Sequence, residues 1–121
     1  MNYKTLVSQL IQAIPEIEPA YNDELTWWDD EQPGVHAIFG NVLNPLLIEK
    51  LTLREDKQLL ERIFDFFELM ASSRDEKVTE VLLCTVLERL GDDDLILKQA
   101  EPFMKDTTKK LCHDLEKELG R

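Results

Sequence analysis

Between Leu59 and Met70 the chain reads LLERIFDFFELM. The apolar positions in that run are Leu59, Leu60, Ile63, Phe64, Phe66, Phe67, Leu69 and Met70, and they cover far more than one helical stripe. A surface helix needs one covered side; this one needs two. The chain must therefore fold around it, and the sequence offers only helices to do so. Strict apolar–polar alternation is absent, and β-branched residues fall at helical spacings.

Residues 3–14 place Leu6, Val7, Leu10, Ile11 and Ile14 on one face, and Pro15 ends that helix. Pro19 suits the first turn of a short helix over about 19–28, because its φ is already fixed. Pro33-Gly34 breaks the chain. From Val35 the apolar pattern resumes, and Asn44-Pro45 interrupts it, predicting either a kink or a break with Asn44 as a new N-cap. Thr52 and Glu55 match a capping box that starts the central helix, which runs to about Ala71. Ser73 and Glu76 match a second, opening a helix over about 74–90 that carries Val78, Val81, Leu82, Cys84, Val86, Leu87 and Leu90. Gly91 is expected to stop it in a left-handed C′ conformation. Asp92-Asp93-Asp94 suits the positive end of the next helix. Pro102 separates that helix from the last, about 103–119, which Gly120 ends.

The expected fold is all-α: one domain over residues 1–121, a compact bundle of six or seven helices, with a HEAT-like hairpin at about 53–90. A chain of 121 residues is long enough for a single core.

Charge limits the function classes. Fourteen basic residues against 25 acidic ones give a net charge of −11. Nucleic-acid binding needs cations to displace counterions, so no direct nucleic-acid partner is expected. Anionic membranes are disfavoured for the same reason, and no apolar run approaches 18 residues. The amino-terminal stretch reads as a helix rather than a leader, and the expected location is the cytoplasm. Residues 1–49 hold one basic residue, Lys4, against eight acids, a balance of −7, whereas residues 50–121 stand at −4. A one-signed field steers partners of opposite sign, and here that means a basic protein.

No chemistry-bearing motif emerges. The glycines are isolated, no GxSxG elbow exists, and no metal-ligand spacing or cofactor signature is found. Cys84 and Cys112 lie in helical patterns and are expected to be buried thiols. Cys112 and His113 are neighbours, so on a helix their side chains diverge by about 100°. Glu61, Asp65 and Glu68 line one helix face at i, i+4, i+7, a spacing that a carboxylate metalloenzyme could use, but they read as a solvated outer face.

The feature with functional content is DELTWWDDEQPGVHAIFG, residues 23–40. Trp27 and Trp28 stand among Asp23, Glu24, Asp29, Asp30 and Glu31, with no nearby lysine or arginine. In one reading, one tryptophan is core and the other lies partly over the surface. In the other, at least one anchors a binding patch, with the acids pairing to lysine or arginine of a partner. His36 follows directly, as a local helix-start residue or as part of that surface.

The blocks HAIFGNVLNPLLIEKL, LLERIFDFFELMASSRDEKVTEVLLCTVLERLGDD and KKLCHDLEKELG, within residues 35–121, resemble a family of small bacterial all-helical proteins of unknown function, with FGNVLNP the most specific part. That resemblance implies a compact helical fold and no catalytic residues. In size, acidity and helical-repeat pattern the chain is also similar, more loosely, to immunity proteins of contact-dependent and polymorphic toxin systems. The expectation is a non-enzymatic, cofactor-free immunity protein. It would bind a cognate toxin domain, such as a nuclease, through Asp23, Glu24, Trp27, Trp28, Asp29, Asp30, Glu31 and His36. The alternatives are a helical adaptor or regulator and a carboxylate-based metalloenzyme.

Overall fold

The computed structural model describes residues 1–28 and 31–121. Among them are seven helices and no strand: α1 (Leu6–Ala13), α2 (Glu18–Thr26), α3 (35–53), α4 (Lys57–Ala71), α5 (76–91), α6 (Asp94–Ala100) and α7 (Asp106–Glu118). Short 3-10 turns at Tyr3–Thr5, Pro15–Ile17 and Glu101–Phe103 precede or join them. The bundle is the all-helical fold expected from the apolar pattern.

The central helix is α4. It buries Leu59, Leu60, Ile63, Phe64, Phe66, Phe67 and Met70, and it touches α1, α3, α5, α7 and the 101–103 turn. The two-sided apolar pattern is thus used in full. Phe64 and Phe67 meet edge to face, with ring centroids 5.2 Å apart.

Helices α3 and α5 each contain a π-helical turn, Phe39–Leu43 and Val81–Leu87, and the two turns face one another. Each has a reason in the sequence. In α3, Pro45 has no N–H to donate, and its ring would crowd the carbonyl four residues back. Widening the preceding turn lets the Asn44 N–H reach Phe39 O, and the helix continues through the proline. In α5 the buried pairs Val81-Leu82 and Val86-Leu87 are five residues apart, one more than a regular turn allows. A π turn inserts that extra residue and keeps both pairs inside.

Several helix ends differ from the sequence expectation. Asn44 does not cap a new helix: it is helical, 5% exposed, and its Nδ2 donates to Thr85 O at 3.0 Å, tying α3 to α5. Thr52 lies inside α3, whose core residues Leu47 and Leu51 carry the helix on to Leu53. The cap of α4 is Asp56, which accepts from Leu59 N. Asp75, not Ser73, caps α5, accepting from Lys77 N through one oxygen and from Tyr3 N through the other. Gly91 ends α5 with no left-handed φ. A Cβ there would meet the movable carboxylate end of Glu116 on α7. The last helix begins at Asp106, three residues later than expected. Asp93 does cap α6, accepting from Leu95 N and Ile96 N, and Gly120 does adopt a positive φ of 75°.

The α3–α4 connection holds two left-handed residues that are not glycine, Arg54 (φ 53°) and Asp56 (φ 54°). Such a residue is disfavoured by roughly 1–2 kcal/mol, because Cβ crowds a carbonyl oxygen. Arg54→Gly should therefore raise stability by about 1 kcal/mol in urea unfolding, the sign that left-handed strain requires.

Candidate functional site

Helix α2 is a peripheral element. It packs against the Pro15–Ile17 turn and the π turn of α3, and none of its own side chains is fully buried. Its last turn carries the acid–tryptophan stretch. Trp27, the C-cap residue, keeps helical dihedrals (φ −83°, ψ −15°), so adjacent side chains still diverge as on a helix.

The two tryptophans separate. Trp28 turns back, half-buried, and its Nε1 donates to Glu24 Oε2 at 2.9 Å. The same oxygen accepts from Asn41 Nδ2 of α3 at 3.0 Å. The indole hydrogen bond, joined by that from Asn41, holds the Glu24 carboxyl below its usual range. Trp27 points away from these contacts and is 83% exposed. Asp23 lies one turn before it on the same face and is exposed. Glu31 is exposed too, and its backbone N–H donates to Trp28 O at 2.8 Å. Asp29 and Asp30, also expected in the patch, lie outside the described residues.

The expected group is therefore only partly gathered. Asp23, Trp27 and Glu31 face solvent, whereas Glu24 and Trp28 are engaged within the fold. His36 is exposed, and its Nδ1 lies 2.5 Å from Thr85 Oγ1 of α5, so it also links two helices. Asn41 was not anticipated, although it sits in the FGNVLNP block and supplies the bond that docks α2 on α3.

The remaining candidates have structural explanations. Cys112 is buried, and burial, with Glu116 and Glu101 nearby, pushes its thiol up to about 11. Cys84 is exposed, contrary to expectation: it stands between the buried pairs Val81-Leu82 and Val86-Leu87 of α5. Partial burial and the charges of Glu80 and Glu88 raise its thiol as well, which keeps the less nucleophilic protonated form. His113 is exposed, diverging from buried Cys112.

Of the carboxylate stripe, Asp65 pairs with Lys105 across to the α6–α7 connection. Glu68 reaches the start of α7, where Oε1 accepts from Thr108 N and Thr108 Oγ1, both at 2.9 Å, and Oε2 accepts from Thr107 N at 3.2 Å. This is a helix cap supplied from another helix. Burial opposes ionisation of Glu68, but these hydrogen bonds outweigh it and leave the carboxyl below its usual range. Among the described residues no three His, Cys, Asp or Glu side chains are grouped to hold a metal ion. No described helix is long and apolar enough to cross a membrane.

Compared with known proteins, residues 7–120 match the family model described as Domain of unknown function (DUF7674). No curated protein and no solved structure matches the chain.

Two outcomes follow from this geometry. Acrylamide should quench a Trp28→Phe variant, which keeps Trp27, nearly as well as free indole, and a Trp27→Phe variant several-fold less. Glu68→Ala should lower stability by about 1–2 kcal/mol at neutral pH, as for loss of a helix cap. A folded-state pKa below the ordinary 4.5 stabilises above that value and loses the effect on acidification. Urea unfolding as a function of pH should thus show the gap between the native and Glu68→Ala chains closing as pH falls below 4.5.

Proposed function

We propose that this chain, which belongs to the DUF7674 family of domains of unknown function, is a non-enzymatic binding protein that docks on a basic protein through the exposed end of α2. The observation that carries this reading is Trp27, 83% exposed at the end of a helix that buries no side chain fully. A tryptophan there is costly to hydrate and provides large, rigid contact area once covered. Asp23 and Glu31 supply exposed charge beside it. The balance of −7 over residues 1–49 adds long-range steering toward a cationic surface.

In its most specific form, the reading is a cytoplasmic immunity protein. It binds a cognate toxin domain in a 1:1 complex and covers its basic substrate-binding surface. A nuclease fits best, because carboxylates around an aromatic anchor can occupy a path made for phosphates and bases. Inhibition would be by coverage and would need no catalytic group. Asp29 and Asp30 extend the acidic run in sequence and are included in the proposed patch.

The test is to express the toxic region encoded beside this gene, with and without the chain, and to measure growth and complex formation. Rescue with a 1:1 complex is expected. Trp27→Ala should weaken that complex by about 2 kcal/mol or more, roughly 30-fold, as for a central interface anchor. An absence of rescue would remove the immunity reading. Rescue with unchanged Trp27→Ala affinity would move the interface to another face.

A further inference from the structure

We propose that a cavity between the end of α3, the start of α4 and the 99–103 segment binds a small amphipathic monoanion, a short acyl or aryl carboxylate. The cavity encloses about 220 Å³. That is below the roughly 300–1,000 Å³ of sites for drug-sized ligands, so its occupant is small. Its apolar lining is Leu51, Leu60, Pro102 and Phe103, and Gln99 is the one neutral polar residue beside them. The Phe103 ring stacks on that of Phe64, with centroids 5.9 Å apart and planes at 24°, which fixes the face it turns to the cavity.

Of the three charged residues that line the cavity, two are basic. Arg54 and Lys57 line the cavity, and neither is in a salt bridge among the described residues. The acid beside them, Glu55, is engaged by Lys50 Nζ at 3.0 Å. Two unpaired cations at a small apolar cavity are a local exception in a chain of net charge −11. Lys57 is also the first residue of the 15-residue α4, directly after its cap Asp56.

The backbone supplies an independent reason to look here. Arg54 holds a left-handed φ of 53° as the C-cap of α3, a place where glycine closes a helix without steric conflict. Arg54 is at the same time a residue that lines the cavity. An inorganic anion would satisfy the cations and leave the apolar walls uncovered. An uncharged alcohol would cover the walls and leave the cations unpaired. An amphipathic anion does both. None of Asp23, Trp27 or Glu31 is involved, so the outcome here is independent of the docking reading.

The test is an amide NMR titration of the full chain with hexanoate, with 1-hexanol and acetate as controls. Saturable shifts at Arg54, Lys57, Leu60 and Phe103 are expected with hexanoate, and at least tenfold weaker binding with either control. Arg54→Gly, which relieves strain and so remains folded, should weaken hexanoate at least fivefold. The proposal is overturned if hexanoate produces no saturable shift at these amides. It is equally overturned if 1-hexanol or acetate binds as well as hexanoate, or if Arg54→Gly leaves the affinity unchanged.

Discussion

A single carboxylate decides how the surface of this protein is arranged. Glu24 Oε2 accepts from the Trp28 indole and from Asn41 Nδ2, joining the end of α2 to the π turn of α3. With Trp28 held inward, its neighbour on a helical backbone must point elsewhere, and Trp27 meets solvent. Helix α2 buries no side chain fully and is otherwise attached through partly buried ones such as Tyr21. The acid that looks most like part of a binding patch is thus the one that builds the patch. Its negative charge strengthens both hydrogen bonds, as ionised acceptors do.

The other end of that bond rests on the π turn at Phe39–Leu43. Pro45 would disrupt a regular helix at this point, yet α3 runs through it as one rod because the preceding turn widens. The facing π turn of α5 accommodates a five-residue step between buried apolar pairs. Asn44 then bonds across to Thr85 O, and His36 to Thr85 Oγ1. Irregular turns that would weaken isolated helices here register two helices against each other. The FGNVLNP block therefore has a structural role in three of its residues: Asn41 holds α2, Asn44 holds α5, and Pro45 requires the widened turn.

What could be read from sequence divides by the range of the interaction. The central helix, a cap within Asp92-Asp93-Asp94 and the helix stop at Gly120 follow from residues within a few positions of one another, and each was legible. Gly91 was expected as a left-handed stop, but it ends α5 without a left-handed φ, and its neighbour across the fold is Glu116, 25 positions on. The Thr52–Glu55 box failed because apolar positions Leu47 and Leu51 pull the chain past it as helix. The true stop, a left-handed arginine, carries no sequence signature. Cys84 was expected inside because free cysteine usually packs as a small hydrophobe, but it stands between the buried pairs Val81-Leu82 and Val86-Leu87 and is exposed. Of the candidate surface, the acidity and the tryptophans were legible. The division of labour between Trp27 and Trp28 was not, because it depends on Asn41, which belongs to another helix.

Seen as a whole, the fold commits nearly all its apolar residues to a core around α4 and leaves a few large ones outside, Trp27, Leu69 and Leu95 among them. Among the described residues only Trp27 combines near-complete exposure with the one-signed acidic segment. The most direct test of that distinction is site-specific photo-crosslinking in the producing cells, with a benzoylphenylalanine placed in turn at positions 27, 69 and 95. The account predicts one discrete adduct with a basic protein from position 27, and none from positions 69 and 95. Adducts from position 69 or 95 with none from 27 would contradict it and place the interface on another face of the bundle.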